Sequence, residues 1–379
     1  MHRIALDYTP ALKQTGGIGR YVRELADALA KVGDSEEYRL FAAGVNRAGL
    51  PAPPGENFCW KPTRITSEWL ARLWHRAGIP LSIEAFTGAI DLFHATDFVL
   101  PPTRPRTRTL LTVHDLSFVR VPSAASPPLK AYLDAVVPSS VAAADHILAD
   151  SEATKADLIE LYKTRENKIT VLYSGVNPRF RRVADRERRA ATLRKYNLDK
   201  VNYILSVGTV QPRKNYSRVV EALAALRETG VALHYAIAGV SGWLQDELRQ
   251  TIARAGMSDT VHMLGLVEDP DLPALYSGAR MLVMASLYEG FGLPVLEAMA
   301  CGAPVITSNL SSLPEVGGSA ALLVDPQDTD AISDAILKLE TDDARRSQLI
   351  EAGYRQAKKF SWERAGGQLK SIYTDMLGA

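Results

Sequence analysis

The sequence predicts an α/β protein made of two doubly wound, parallel-sheet domains, and three observations carry that expectation. The chain has 379 residues, enough for two compact domains at roughly 100–200 residues each. Short apolar runs alternate with helical stretches, which is the spacing of βα units, and the alternation restarts at Tyr203 after a basic stretch poor in apolar residues. Hydrophobic residues make up 46% and charged residues 23%, so the chain has apolar surface enough to close cores and no compositional case for disorder.

The elements follow in order. Residues 4–8 form an apolar strand, the run from Thr15 to Gly19 breaks it, and a helix over 21–32 carries Val22, Leu25, Ala26 and Leu29 on one face. Further buried strands are expected at 91–94, 109–113, 146–149 and 168–172. Between Asn177 and Lys195 stand eight basic residues against two acidic ones, a pattern that reads as a solvated linker and helix face, with the domain junction near Pro178. The second alternation gives strands at 203–207, 234–238, 261–264, 281–285 and 304–307, with helices at 217–228, 244–255 (opening on Leu244), 272–277 and 294–300. Three helices end the chain, at 329–339, 344–359 and 362–377.

Charge and cysteine content exclude several classes. Lys and Arg number 44 against 43 Asp and Glu, a formal charge of +1, so nothing draws the chain as a whole to nucleic acid or anionic lipid. Cys59 and Cys301 are the two cysteines, too few for a disulfide framework or a four-cysteine zinc site, and a reducing, cytoplasmic setting is expected. No apolar leader follows Met1, His2 and Arg3, and no run reaches the 18 apolar residues of a membrane span.

The most informative segment runs from Glu289 to Thr307. It opens Glu289-Gly290-Phe291-Gly292-Leu293; Pro294 suits a first helical turn, and Glu297 follows. Glycine lets backbone amides approach a ligand closely, and a helix N-terminus binds phosphate through its unpaired amides and dipole. Carboxylates repel phosphate but accept hydrogen bonds from hydroxyls, so a sugar joined to phosphate fits both halves. Either glutamate alone reads as a solvated cap; the joint pattern favours a ligand. A second candidate, Gly208 to Asn215, follows the strand at 203–207. Ligands of open α/β sheets bind beyond the carboxyl ends of strands, which places Arg213 and Lys214 to offset a diphosphate leaving group.

Other motifs are weaker. Gly16-Gly17-Ile18-Gly19 has the look of a phosphate cradle without the G-x-G-x-x-G order of a dinucleotide site, and a tight turn explains it equally well. His114 and Asp115 directly follow the strand at 109–113 and should project into the crevice at its end, a histidine buried on a backbone carbonyl being the competing reading. The pairs Asp269/Asp271 and Asp328/Asp330 match a metal-binding D-x-D, but both precede helices, where Asp is a common N-cap, so no metal site is expected. Trp69, Leu70, Leu73 and Trp74, set among Arg64, Arg72, His75 and Arg76, form either an amphipathic patch for a membrane surface or part of the core.

On these residues the chain resembles the family 4 glycosyltransferases of the GT-B fold, in which two Rossmann-like doubly wound parallel-sheet domains face across a cleft. It is most similar to bacterial mannosyltransferase-like members in surface polysaccharide and lipopolysaccharide biosynthesis. The matching motifs span nearly the whole chain: Gly16 to Tyr21, His114-Asp115, Ser151 to Thr154, Ser174 to Val176, Gly208 to Asn215, Leu264-Gly265, Glu289 to Thr307 and Leu313 to Gly318.

The resemblance implies an acceptor-binding domain at 1–177, with a C-terminal helix at 361–379 packing back on it, and a donor-binding domain at 178–360. It implies hexose transfer with retention of configuration, without a metal and with no cofactor beyond the nucleotide-sugar donor, to a glycan or lipid-linked saccharide. GDP-mannose is the preferred donor, a GDP-deoxyhexose such as GDP-rhamnose or UDP-glucose the others. Glu289 would contact donor-sugar hydroxyls and Glu297 the ribose, with the Phe291 and Gly292 amides near sugar and phosphates and Gly290 and Leu293 beside them. Arg213 and Lys214 would stabilise the departing diphosphate. His114 would sit by the donor sugar in the cleft with Asp115 next to it, and Gly16 and Gly17 would let their loop approach phosphates and acceptor. Two departures stand out: Thr209-Val210 replaces a common Arg-Leu, so Arg213 alone supplies that charge, and Ser174 to Asn177 replaces the common Asn-Gly-Val-Asp.

The expected setting is the cytoplasm, with the inner face of the membrane as a surface for peripheral contact, and no nucleic acid partner. The rival readings are an NAD-dependent oxidoreductase, which lacks its glycine fingerprint here, a GT-B sugar-nucleotide epimerase or phosphorylase, and a non-catalytic sugar-nucleotide binding protein.

Overall fold

Strands end where their apolar runs end, and in both halves of the chain they collect into a parallel sheet. The computed structural model describes residues 1–33, 35–242 and 245–378. The chain divides into two units: one comprises Met1–Leu116, Pro127–Gly175 and everything from Trp362 on, the other Ser117–Ser126 and Val176–Ser361. The segment Ser117–Ser126, which lies inside the first domain as read from sequence, groups with the second unit.

The first unit contains β1 (Arg3–Asp7), β2 (Glu37–Ala43), β3 (Phe58–Thr63), β4 (Leu92–Ala95), β5 (Arg108–Val113), β6 (His146–Ala149) and β7 (Ile169–Val171). Among the described residues these make a seven-stranded sheet in the order β3-β2-β1-β4-β5-β6-β7, parallel throughout. The order reverses between β1 and β4, which opens a crevice beyond their carboxyl ends. β2 and β3 carry no expectation from sequence; β3 includes Pro62, tolerated because this strand is the sheet edge and needs no donor on its outer side.

The helix Gly17–Val32 starts earlier than its apolar pattern, because Gly16 takes the extended N-cap conformation and the glycines join the first turn. Its apolar face receives the helix Trp362–Leu377. Gly366 makes that possible: a Cβ there would lie 2.9 Å from the Ala28 carbonyl carbon. Leu25, Leu29 and Leu369 are at most 1% exposed, and each leucine so buried contributes about 2 kcal/mol. At the far end Tyr373 bonds His94 Nδ1 through its hydroxyl at 2.7 Å, with Thr112 Oγ1 on Nε2 at 2.8 Å.

The second unit contains β8 (Tyr203–Val207), β9 (His234–Ala238), β10 (Val261–Gly265), β11 (Met281–Met284), β12 (Val305–Ser308) and β13 (Ala321–Val324). They form a six-stranded sheet, among the described residues, in the order β10-β9-β8-β11-β12-β13, again parallel. Its reversal falls between β8 and β11. β13 is a further strand with no expectation from sequence. The helix expected from Leu244 is described from Gln245 to Arg254, Leu244 lying outside the described residues.

The two acidic pairs behave differently. Asp328 caps the helix Thr329–Thr341, its carboxylate accepting from the amides of Asp330 and Ala331. Asp271 holds the N-cap position of Leu272–Gly278 without a capping bond; its carboxylate instead accepts from Lys195 and Tyr196, and Asp269 pairs with Arg179. The capping expectation is therefore corrected for Asp271: helical backbone at that residue turns its side chain away from the amides, toward a cation and a phenol.

Candidate active site

In the second unit the loops after β8 and β11 flank the point where strand order reverses, so residues far apart in sequence emerge side by side. After β8 the chain turns through Pro212–Lys214 and is held by Asn215. Asn215 sits in the left-handed region at φ 57°, which Asn tolerates, and its amide donates to the Ala285 and Pro326 carbonyls at 3.0 and 2.6 Å. Lys214 Nζ then donates to Glu289 Oε1 at 2.7 Å, and Arg213 Nη1 to Glu289 Oε2 at 2.6 Å and to the Tyr288 carbonyl at 2.9 Å. The Gln211 amide oxygen accepts from the same guanidinium at 3.1 and 3.2 Å. Backbone ties the loops together as well, Leu287 N donating to the Arg213 carbonyl at 2.8 Å.

Glu289 is the hinge of this cluster. Burial alone would push its carboxyl up, but the charges and hydrogen bonds of Arg213 and Lys214 prevail and hold it down at about 2. Two cations meet this carboxylate in a region almost closed to solvent, where the Lys214 side chain is only 8% exposed. Each oxygen of an ionised carboxylate accepts more than one hydrogen bond, so Glu289 keeps capacity for hydroxyls while neutralising its neighbours.

The loop itself is fixed by two serines. Ser311 Oγ accepts from Glu289 N at 2.9 Å, and Ser312 Oγ donates to the Glu289 and Phe291 carbonyls at 2.9 and 2.8 Å. Gly292 then caps the helix Leu293–Ala300 at φ 113°, where a Cβ would meet Leu313 Cδ2 at 2.8 Å. No acidic side chain stands in that helix's first turn, so its positive end faces the loop unneutralised. The Phe291 ring packs on Phe360 at 5.8 Å and is buried, which leaves its backbone as the part a ligand can use. Glu297 lies one turn into the helix with its Oε2 accepting from Tyr276 at 2.7 Å, and only 2% of its surface is exposed.

The first unit gathers its own cluster past the ends of β1, β4, β5 and β6. His114, just past β5, is buried with Nδ1 2.8 Å from Asp150 Oδ2 and Nε2 2.9 Å from the Thr96 carbonyl. A carbonyl only accepts, so Nε2 carries a hydrogen, while Nδ1 shares a proton with the Asp150 carboxyl, which burial in turn pushes above the usual carboxylate range. Burial opposes a charge on the ring, but Asp150 and Asp97 outweigh it and raise His114 to about 9. The rings of Tyr21 and Phe98 meet it edge-on at 5.0 and 5.5 Å. Phe98 holds φ 55°, an uncommon backbone state for a bulky residue, of the kind that collects at ligand sites. At the end of β1, loss of solvation pushes Asp7 up to about 6, against bonds from Thr9 and with a further push from Asp97. Gly16 and Gly17 open the Gly17–Val32 helix with nothing within 4 Å of where a Cβ would stand, so no packing inside the unit demands glycine at either position. Asp115 is partly exposed next to His114.

Of the residues singled out from sequence, the second unit gathers Arg213, Lys214, Glu289, Gly290, Phe291, Gly292 and Leu293 at one crevice mouth and turns Glu297 toward Tyr276; the first holds Gly16, Gly17, His114 and Asp115. Sequence reasoning gave no role to Gln211 and Asn215 within the Gly208–Asn215 segment, and missed Ser311 and Ser312 around the glutamate and Asp150 and Phe98 around the histidine. Asp150 stands directly after β6, the position that flagged His114, and was legible on that ground. Among the described residues no group of three or more His, Cys, Asp or Glu could hold a metal ion.

Comparison with known proteins gives the chain a family. The profile described as Glycosyltransferase Family 4 matches residues 15–180, and the one described as Glycosyl transferases group 1 matches residues 189–356. The O-antigen chain mannosyltransferase B of Escherichia coli is 35% identical over 373 residues, covering 94% of this chain and 95% of that protein. Among solved structures, a sucrose-phosphate synthase from Thermosynechococcus elongatus superposes with a TM-score of 0.78 at 22% identity, covering all of both chains. The Anabaena protein HepE, solved with UDP and glucose, gives 0.74 at 18% identity, covering 99% of this chain and all of the other. The chain is thus an enzyme of glycosyltransferase family 4 with the GT-B fold.

Proposed function

We propose that this enzyme transfers a hexose, mannose from GDP-mannose, with retention of configuration and without a metal, to a glycan or lipid-linked saccharide acceptor in surface polysaccharide assembly. The observation that carries the mechanism is the convergence of Arg213 and Lys214 on Glu289 over the start of the helix Leu293–Ala300. The similarity to an O-antigen chain mannosyltransferase supports the choice of sugar and setting.

As the bond to the anomeric carbon breaks, negative charge builds on the diphosphate. Lys214, Arg213 and the helix amides are fixed beforehand, so they stabilise that charge more than the ground state and lower the barrier. Glu289 anchors both cations and accepts from the hexose hydroxyls. Glu297 reads as the contact for ribose, reached through a carboxylate that already accepts from Tyr276. In the first unit, read as the acceptor-binding one, Gly16, Gly17 and Asp115 line the open strand ends. His114 already donates Nε2–H to the Thr96 carbonyl, and that hydrogen is the one a substrate hydroxyl takes over. The acceptor proton passes to the departing phosphate oxygen.

A panel of nucleotide sugars tests this directly. GDP-mannose at a hundred times its Kd should stabilise the fold by about 2.7 kcal/mol, and with a saccharide acceptor should give an α-linked product by NMR. Stabilisation by UDP-glucose or GDP-rhamnose alone overturns the donor assignment, a β-linked product overturns retention, and indifference to every nucleotide sugar overturns the whole proposal.

A further inference from the structure

Away from its crevice the first unit holds a second cleft, of about 420 Å³, which is the size of a small-molecule site. It lies at the amino ends of two strands: Thr109 is the second residue of β5, and Asp145 immediately precedes β6. His114 stands beyond the other end of β5, about 16 Å farther along the strand at roughly 3.3 Å per residue. No residue singled out for the sugar chemistry lines this cleft.

One wall is the loop Pro101-Pro102-Thr103-Arg104-Pro105, whose three prolines fix much of its backbone. A buried glutamate fastens that loop. Glu84 is 4% exposed, and its Oε1 accepts from Arg104 N at 3.0 Å and from the Thr107 hydroxyl. Ile83 N donates to the Pro102 carbonyl at 2.9 Å, and Leu100 N to Ser140 Oγ at 3.1 Å. Irregular backbone held by so many bonds is preorganised, which lowers the cost of binding a ligand.

The polar groups of the cleft carry both signs. Asp145 Oδ2 accepts from Thr109 N and Oγ1 at 2.8 and 3.0 Å, which leaves Oδ1, 3.9 Å from Arg108, with capacity for another donor. Arg104 is exposed and brings a guanidinium. His75 meets the Tyr132 ring edge-on at 6.3 Å, and burial pushes its imidazole below the ordinary value, so the ring is neutral at pH 7. Its Nε2 is buried without a hydrogen-bond partner, a cost that a hydroxyl brought to the ring relieves. The Asp145 carboxylate disfavours phosphate. Donors and acceptors together, beside flat proline and imidazole surfaces, match a neutral polyol, whose hydroxyls both donate and accept.

We infer that this cleft is a second saccharide site, outside the catalytic one, in which Arg104 donates to and Asp145 accepts from the hydroxyls of a neutral oligosaccharide whose C–H faces pack on His75 and Pro102. The site goes beyond the transfer reaction and stands whichever sugar is transferred.

Imidazole NMR of the full chain without donor decides it, the His75 signal being assigned through His75→Gln. The probes are α-mannotetraose and maltotetraose, with inorganic phosphate as the anion. A tetrasaccharide should shift the His75 signal saturably, and phosphate should not. Arg104→Ala should weaken that binding about tenfold or more, and Thr103→Trp, which fills the cleft, should abolish it. Unchanged melting temperatures show that both variants fold. A His75 signal that neither saccharide moves, one that phosphate moves instead, or a saccharide shift that survives both variants would each overturn the assignment.

Discussion

Lys214 donates to Glu289 at 2.7 Å across 75 positions of sequence, with both side chains nearly withdrawn from solvent. Parallel connections leave β8 and β11 adjacent while the chain between them builds β9 and β10, so the loops that follow the two strands share one crevice mouth. The pair is a product of topology, and its strength depends on Arg213 holding the second oxygen.

Replacing Glu289 by Gln removes the anion that the buried Lys214 and the partly buried Arg213 share. Uncompensated buried charge of this kind costs about 3 kcal/mol. The acid limb changes too. The folded Glu289 ionises at about 2, below its ordinary 4.5, so it contributes stability present above 4.5 and lost as pH falls toward 2. Urea unfolding from pH 7 to pH 2 should show a shallower acid loss in Glu289→Gln, and an identical pH profile would contradict the ion cluster.

Lys214→Met should separate chemistry from folding. Arg213 still neutralises Glu289, so the fold survives, while a cation acting on developing charge is gone. We expect kcat to fall by about 10²-fold or more with a much smaller change in KM. A variant whose KM alone rises would assign Lys214 to ground-state binding.

His114 supplies a signature on the alkaline side. Its folded value of about 9 exceeds the ordinary 6.5, so its contribution is full below 6.5 and disappears as pH rises through 9. Thermal melting should decline over that window in the wild type and decline less in His114→Gln, which carries no titrating ring. Parallel curves would show that the ring is neutral in the folded chain.

Two glycines should respond oppositely to alanine. At Gly292 the positive φ and the clash with Leu313 cost about 1–3 kcal/mol, so melting drops. At Gly17 the space is empty and alanine favours the first turn, so melting holds or rises while KM for a substrate increases. Loss of stability in Gly17→Ala would make that glycine structural.

The two cysteines should differ in reactivity. Cys301 is fully buried, and burial followed by the Glu297 charge pushes its thiol well above the ordinary range, whereas Cys59 is partly exposed. A disulfide reagent should titrate one thiol in the native enzyme and a second in denaturant.

Much of this was legible in sequence because strands and helices here follow simple periodicity. The runs at 203–207 and 234–238 coincide with β8 and β9, and positions just past strand ends located Lys214, Glu289 and His114. What escaped lacked a local signal. β3 carries Lys61 and Pro62, which look like a loop until the strand is known to be an edge. Ser311 and Ser312 resemble any turn residues, and only the fold turns their hydroxyls onto the glutamate loop. Asp271 precedes a helix as a capping residue should, and a tertiary partner claimed its carboxylate instead.

The helix Trp362–Leu377 packs on Gly17–Val32 and bonds His94 beneath the first sheet. Residues 362–377 must therefore emerge from the ribosome before the lobe that holds β1 can be completed, and its nascent sheet waits, one flank bare, through synthesis of the entire intervening lobe. Chaperone dependence and sensitivity to deletion of the helix Trp362–Leu377 should accordingly appear in the lobe that holds β1.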